Sequence, residues 1–363
     1  MNRSAGGSIF TRKLPLGCEQ CIRGEKLVFF IGGECDFPEY CRWYCPISEE
    51  RKGKPAKFVN ERVFQDWEDL WDEIAKADAR GMSITGGDPL VSEELRTFAV
   101  DAIRLTKKHC GADFHIHLYT NGVNFTPEIA QALASAGLDE IRFHPAPGDF
   151  GVFEMAHNAN LVFGAEVPAI PTEDQEQYLE GVLSALEESG GTFLNLNELE
   201  MTPATAPALR KKGLVLEEDT IAAVRGSEAF AIRFLKAHAK SRVSIHYCPV
   251  ALKDAVQTRQ RYLRRANVVK RPYEEVTEEG LLVKAVVTGP PNLLAELRQL
   301  LIEEVEVPPE MLYLPEGGNT LEGPAFLFAE KEVLELIRMN DLEVGIAETL
   351  PLDTRDLCEY DPL

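Results

Sequence analysis

From Lys26 onward the hydrophobic pattern changes period repeatedly. Apolar runs of strand length alternate with stretches in which apolar residues recur every three or four positions. KLVFFIGG at 26–33 is a short apolar run ending in glycine. Residues 65–80 place Trp67, Leu70, Trp71, Ile74 and Ala77 on one helical face, with Gly81 as the stop. MSIT at 82–85 reads as a strand, and 92–109 as a helix opened by Ser92 and closed near Gly111. FHIHLYT at 114–120 is again strand-like. A helix at 126–136 follows, with Thr126 as N-cap, Pro127 in its first turn and Gly137 past its end. IRFH at 141–144, LVFGAEV at 161–167 and FLNLNEL at 193–199 are three more strands, the last two joined by a helix at about 173–189.

Strands that alternate with crossover helices imply a parallel sheet with helices outside. The right-handed crossover rule winds six such units into a partial (βα)6 barrel, an α/β fold. The chain divides accordingly into an extension at 1–25, the barrel at 26–240, a connecting strand (SRVSIHYCP) and basic helix at 241–277, and a small domain at 278–363. In that last part LLVKAVV, a helix at 291–304, MLYL, a strand ending in AFLFAE, a helix at 331–339 and LEVGIAE follow one another. Their order, β-α-β-β-α-β, is the ferredoxin-like one. The tail LDTRDLCEYDPL is expected to pack back onto the barrel.

Charge narrows the function classes. The net charge of −21 argues against a general nucleic-acid binder. A basic patch of Lys253, Arg259, Arg261, Arg264, Arg265, Lys270 and Arg271 leaves RNA modification open, although a solvated helix face explains it as well. No apolar run reaches the roughly 18 residues of a membrane span. MNRSAGGSIFTRK has no apolar secretory core, so a cytoplasmic location is expected.

Five of the eight cysteines fall within 28 residues, and in such a protein clustered cysteines read as metal ligands before disulfides. Cys35-DFPEY-Cys41-RWY-Cys45 follows the first strand, and three thiolates on one loop can hold three irons of a [4Fe-4S] cluster. Tyr44 precedes the last cysteine. The second strand ends in Gly86-Gly87-Asp88-Pro89-Leu90 and the third in Tyr119-Thr120-Asn121-Gly122. In this order these features resemble the radical S-adenosylmethionine (SAM) superfamily over roughly residues 26–200. The cysteine spacing here, five then three, departs from the family's three then two.

The resemblance implies a radical SAM barrel whose fourth iron is open to SAM. It implies that the turn at Gly86, Gly87 and Asp88 binds the SAM amino group, with Asp88 one methylene shorter than the family's usual Glu. Thr120, Asn121 and Asn195 are further candidates for cofactor binding. Arg142, His144, Glu166 and Asn197 stand at later strand ends as candidate catalytic residues, because polar residues lining a barrel are costly unless they meet a ligand. Cys18-Glu-Gln-Cys21 and His246-Tyr-Cys248 supply four ligands for a second metal, either zinc or an auxiliary iron–sulfur cluster that could include Cys358. Cys110 is expected to be a buried helix cysteine.

GCEQCIRG and CPISEERKGK are similar to a group of archaeal radical SAM proteins related to pyruvate formate-lyase activating enzyme, and the acidic composition would fit a methanogen. The preferred expectation is C-methylation of a peptidyl residue, a glutamine of the methyl-coenzyme M reductase alpha subunit, with cobalamin as methyl carrier. No Asp-x-His-x-x-Gly cobalamin motif occurs in the chain. A glycyl-radical activase is the second expectation, RNA modification the third, and a non-enzymatic iron–sulfur protein a further alternative. The enzymatic readings need an electron donor such as ferredoxin or flavodoxin and a protein or peptide substrate.

Overall fold

The computed structural model describes residues 1–363, the Asp254 side chain apart. The chain divides into two compact units. Residues 1–75 and 79–258 form the first, and residues 76–78 and 259–363 the second.

The first unit is built on one large sheet. Its strands in chain order are β1 (Asn2–Arg3), β2 (Ile9–Phe10), β3 (Lys26–Phe30), β4 (Phe58–Val59), β5 (Arg62–Val63), β6 (Gly81–Thr85), β7 (His115–Thr120), β8 (Glu140–Phe143), β9 (Val162–Ala169), β10 (Phe193–Glu198) and β11 (Ser244–Cys248). They lie in the order β1-β2-β11-β10-β9-β8-β7-β6-β3-β4-β5. The run from β3 through β11 is parallel throughout. Strand β11 thus extends the parallel run by one beyond the six expected. This is an α/β fold with the parallel, helix-covered sheet of a partial barrel.

The local signals act where the sequence placed them. Ser92 Oγ accepts from the Leu95 amide at 3.2 Å and opens the helix Glu93–Cys110. Thr126 caps Pro127–Ala136 in the same way, and Gly137 ends it in the left-handed region. Cys110, expected to be buried, is half-buried at the end of its helix. Alternation along the strands separates two environments. Leu27, Phe29, Ile84, Ile116, Leu118, Ile141 and Phe143 face the helices and form the hydrophobic core. Lys26, His115, His117, Glu140, Arg142, Asn195 and His246 are buried without belonging to that core.

Residues 1–25 are integral to this unit. Strand β2 pairs antiparallel with β11 at the sheet edge. Helix α1 (Leu16–Ile22), which carries both cysteines of the CxxC pair, packs against β3, β6 and β7. Gly17 is required there: a Cβ would lie 2.5 Å from His117 Nδ1 and 2.6 Å from Arg142 Nη2.

The second unit contains β12 (Glu275–Val276), β13 (Leu282–Thr288), β14 (Thr320–Gly323), β15 (Glu343–Thr349) and β16 (Leu357–Pro362). Central β13 pairs antiparallel with both β14 and β15, leaving a reduced ferredoxin-like arrangement. MLYL is not a full strand but contributes the single bridge Tyr313–Glu322. AFLF, expected to be extended, is the short helix Ala325–Phe328, because Pro324 starts a new turn. The tail forms β16 and pairs with β15, which leaves Cys358 exposed.

Candidate active site

The parallel strands end together around a cavity of about 340 Å³. Cys35, Cys41 and Cys45 line it from the loop after β3, with Tyr44 beside them. Gly86 and Gly87 line it from the turn after β6, and Thr120 and Asn121 from the end of β7. Arg142, His144, Glu166 and Asn197 complete the wall from β8, β9 and β10. Six segments far apart in sequence thus bring most of the expected residues to one place. Asn195 lies deeper, and Asp88 turns away.

The glycine pair serves packing as well as access. A Cβ on Gly86 would sit 2.3 Å from the Gly32 carbonyl oxygen, and one on Gly87 2.1 Å from that of Glu34. The backbone leading into the cysteine loop therefore lies directly against the turn. Asp88, 1% exposed, faces inward. Its carboxylate accepts from the Leu90 amide at 2.8 Å, the Asn121 amide at 2.8 Å and Thr120 Oγ1 at 3.0 Å. Burial pushes its pKa up to about 6 against the pull of those donors. The resemblance puts Asp88 in the turn that meets the SAM amino group; in the structure its carboxylate ties the ends of β6 and β7 together.

Arg142 has little left to offer a ligand. It donates to Glu140 at 2.6 Å, to Glu166 at 2.7 Å and to Cys18 Sγ at 3.4 Å, and is 2% exposed. Glu166 also accepts from Asn195 and Asn197, each at 3.0 Å. Arg142, first of its causes after the opposing effect of burial, holds the carboxyl pKa below its usual value. His144 is neutral, its pKa lowered to about 4 by burial, and it accepts from Tyr44 Oη at Nε2 (2.7 Å). Tyr40 stacks on the same imidazole and donates to the His144 carbonyl. Sequence reasoning missed Tyr40, Tyr119 and Glu140. For Glu140 the signal was present: it shares the alternation of Arg142 and His144.

The loop sulfurs are already hydrogen-bonded in part. Cys35 Sγ accepts from the Phe37 amide at 3.3 Å and from Asn121 Nδ2 at 3.6 Å. Burial raises the Cys35 pKa to about 11 and that of Cys41 to about 12, so both are thiols until a metal displaces the proton.

Cys18, Cys21, His246 and Cys248 line one smaller cavity together with Asn195. His246 does not fit a ligand role. Its Nδ1 is 3.2 Å from Asn195 Oδ1 and its Nε2 2.8 Å from Ser8 Oγ. The neutral ring donates to Asn195 and accepts from Ser8, which leaves no lone pair free.

Residues 9–146 match the model of the Radical SAM superfamily. A Methanocaldococcus jannaschii protein with the name "putative glycyl-radical enzyme activating enzyme" is 36% identical over 315 residues, covering 83% of this chain and 80% of that one. The chain belongs to the radical SAM superfamily. Among solved structures it is similar to Streptococcus suis SuiB (10% identity, TM-score 0.40, 70% of this chain and 54% of that one). It is also similar to the radical SAM methyltransferase TsrM of Kitasatospora setae with cobalamin and a [4Fe-4S] cluster bound (14% identity, TM-score 0.36). There too it covers 68% of this chain and 54% of that one, so it spans about half of each solved chain. Likeness at this level carries no functional argument.

Membership implies an enzyme with a [4Fe-4S] cluster and SAM, and the residues fit both. Cys35, Cys41 and Cys45 present soft donors on one side of the cavity. The exposed backbone of Gly86 and Gly87 faces them, in a space large enough for a nucleoside-sized ligand. Among the described residues no helix is long and apolar enough to cross a membrane.

Proposed function

We propose that this radical SAM enzyme removes a hydrogen atom from a residue of a protein substrate, as an activase for a glycyl-radical enzyme. The observation that carries the reading is the cavity itself. Its thiol loop, glycine turn and polar wall meet at the open end of the strands. The name borne by the M. jannaschii relative favours a protein as the substrate.

With cluster and SAM bound, one electron from a ferredoxin or flavodoxin would yield methionine and a 5′-deoxyadenosyl radical. The chain's own residues prepare the place for that event. Cys35, Cys41 and Cys45 would hold the cluster, and the bare turn at Gly86 and Gly87 would receive SAM. Asp88, through Thr120 and the Asn121 amide, fixes the neighbouring strand end. Arg142 keeps Glu166 ionised and aimed, and neutral His144 with Tyr44 closes the far side without adding charge. The bound group would supply a radical that takes a hydrogen atom from a substrate C–H bond, which would leave the unpaired electron on the substrate.

The Arg and Lys residues that left RNA modification open are largely committed within the protein. Lys253 pairs with Glu200, Arg271 with Glu322, and Arg265 is 3% exposed. Cobalamin-dependent methylation makes a separate demand, which the same assay reads. Reduced enzyme, SAM and a protein substrate should give 5′-deoxyadenosine and a substrate-centred radical signal without S-adenosylhomocysteine. Appearance of S-adenosylhomocysteine and a methylated glutamine peptide, dependent on added cobalamin, would replace the activase reading with the methyltransferase one.

A further inference from the structure

Beneath the active site lies a second cavity of about 90 Å³, lined by Cys18 and Cys21 of α1 and Cys248 of β11. We propose that it binds a single soft divalent metal ion through these three thiolates.

The spacing supplies the first part of the argument. Cys18 and Cys21 are three residues apart on one helix, so their side chains lie on one face. Antiparallel pairing of β2 with β11 closes the sheet edge and brings Cys248 to the same space from 227 residues or more away in sequence. The sulfur environment supplies the second part. A structural buried cysteine packs as a small hydrophobe. Cys18 is instead the acceptor for two N–H donors, Arg142 Nη2 and Asn195 Nδ2, each at 3.4 Å. Donors aimed at a buried sulfur are the outer contacts of a metal-bound thiolate.

His246 belongs to that outer layer. Ser8 donates to His246, His246 to Asn195, and Asn195 to Cys18 and Glu166. This chain fixes which way the Asn195 amide points. Charge closes the argument. Three thiolates and a divalent ion carry one net negative charge, and the lining adds the cations Arg142 and Lys253 and the anion Glu166, so the filled site is near neutral. Binding releases a proton from each thiol. Among the described residues no three such donors are already gathered at metal-ligand distance, and this holds equally for the Cys35 loop. In both places the sulfurs must close on the metal, at the inner site by side-chain rotation alone. The small volume suits one ion.

The test uses the full chain carrying C35A, C41A and C45A, so that SAM chemistry plays no part. Cobalt(II) added anaerobically should bind at one equivalent, with thiolate-to-cobalt charge-transfer absorption and proton release, and zinc should displace it. C18S/C21S and C248S should each abolish the absorption, circular dichroism confirming that both variants remain folded. Absence of the absorption in folded parent protein would overturn the proposal. So would its persistence in C18S/C21S/C248S, or iron with acid-labile sulfide bound at these three cysteines. None of these outcomes bears on the activase reading, which fails or stands on the radical assay.

Discussion

The two sets of cysteines sit on opposite sides of a shared wall made by Tyr119, Arg142, Glu166 and Asn197, yet they are built differently. Cys35, Cys41 and Cys45 stand half-buried on a loop whose regular structure is one short helix, Glu39–Arg42. Cys18 and Cys248 are buried on a helix and a strand, and Cys18 accepts hydrogen bonds from Arg142 and Asn195. A loop can adjust to an iron–sulfur cluster and leave one face open to a ligand. A helix packed inside a sheet cannot move far, which suits a small ion and a fixed outer layer. The contrast suggests that the first site is made to react and the second to hold.

The largest effect should come from emptying the loop. The C35A/C41A/C45A protein should form no 5′-deoxyadenosine from SAM and reductant, whereas C18S/C21S should retain part of that activity. Product from the loop variant, measured by chromatography against an enzyme-free control, would break the comparison at its root and remove the cluster assignment with it.

Gly17→Ala asks how rigid the inner site is. The added methyl meets His117 and Arg142 at about 2.5 Å; His117 is fully buried, and Arg142 is held by its ion pairs with Glu140 and Glu166. Overpacking of this kind costs about 1–3 kcal/mol. The control lies on the cluster loop: Gly53→Ala meets no atom within 4 Å and bears the penalty of its positive φ alone, about 1 kcal/mol. Thermal melting should show the larger drop for Gly17→Ala. Equal drops would mean that α1 is as yielding as the loop.

These particulars mark how far the sequence could be read. Alternating periods locate every strand of the parallel run, because hydrophobic burial on one sheet face writes itself into the chain. The three loop cysteines are legible as one group because they are close in sequence, and they line one cavity. Arg142, His144, Glu166 and Asn197 are legible as a group because polar residues at strand ends have few other uses. Hydrogen-bond direction is not legible. Nothing in the pattern tells that Asp88 faces the strand ends, or that both His246 nitrogens are engaged. Nor does it show α1 within the barrel, since a seven-residue helix carries no distinctive period. AFLFAE failed for a related reason: short apolar runs do not separate strand from helix.

Asp88→Ala should act at intermediate size and through its neighbours. It strips an acceptor from Thr120, the Asn121 amide and the Leu90 amide, at a cost of about 1–3 kcal/mol. SAM should bind roughly tenfold more weakly, and Thr120→Val should reproduce part of that loss, with cluster iron unchanged in both. If Thr120→Val is silent while Asp88→Ala is not, Asp88 touches SAM directly after all.

The last effect is read as a slope with pH and concerns Lys26, at the closed end of the polar interior. Its ammonium donates to Gln20 Oε1 at 3.1 Å and the His115 carbonyl at 2.9 Å, with His115 Nδ1 at 2.6 Å. Burial, aided by Arg142, lowers the Lys26 pKa to about 7, against the opposing pull of Cys21 and Glu140. The unfolded chain holds that proton up to the ordinary lysine value near 10.5. Between these values the unfolded state binds more protons, so stability rises with pH, by at most about 1.4 kcal/mol per unit. The buried thiols act in the opposite sense once the unfolded chain's cysteines ionise near 9, which confines a clean reading to pH 7–9. Denaturant unfolding across that window should give a rising stability for the native chain and a flatter line for Lys26→Met, whatever the variant's absolute stability. Parallel lines would mean that Lys26 keeps its proton inside the barrel, and that the interior around α1 is more polarisable than its burial implies.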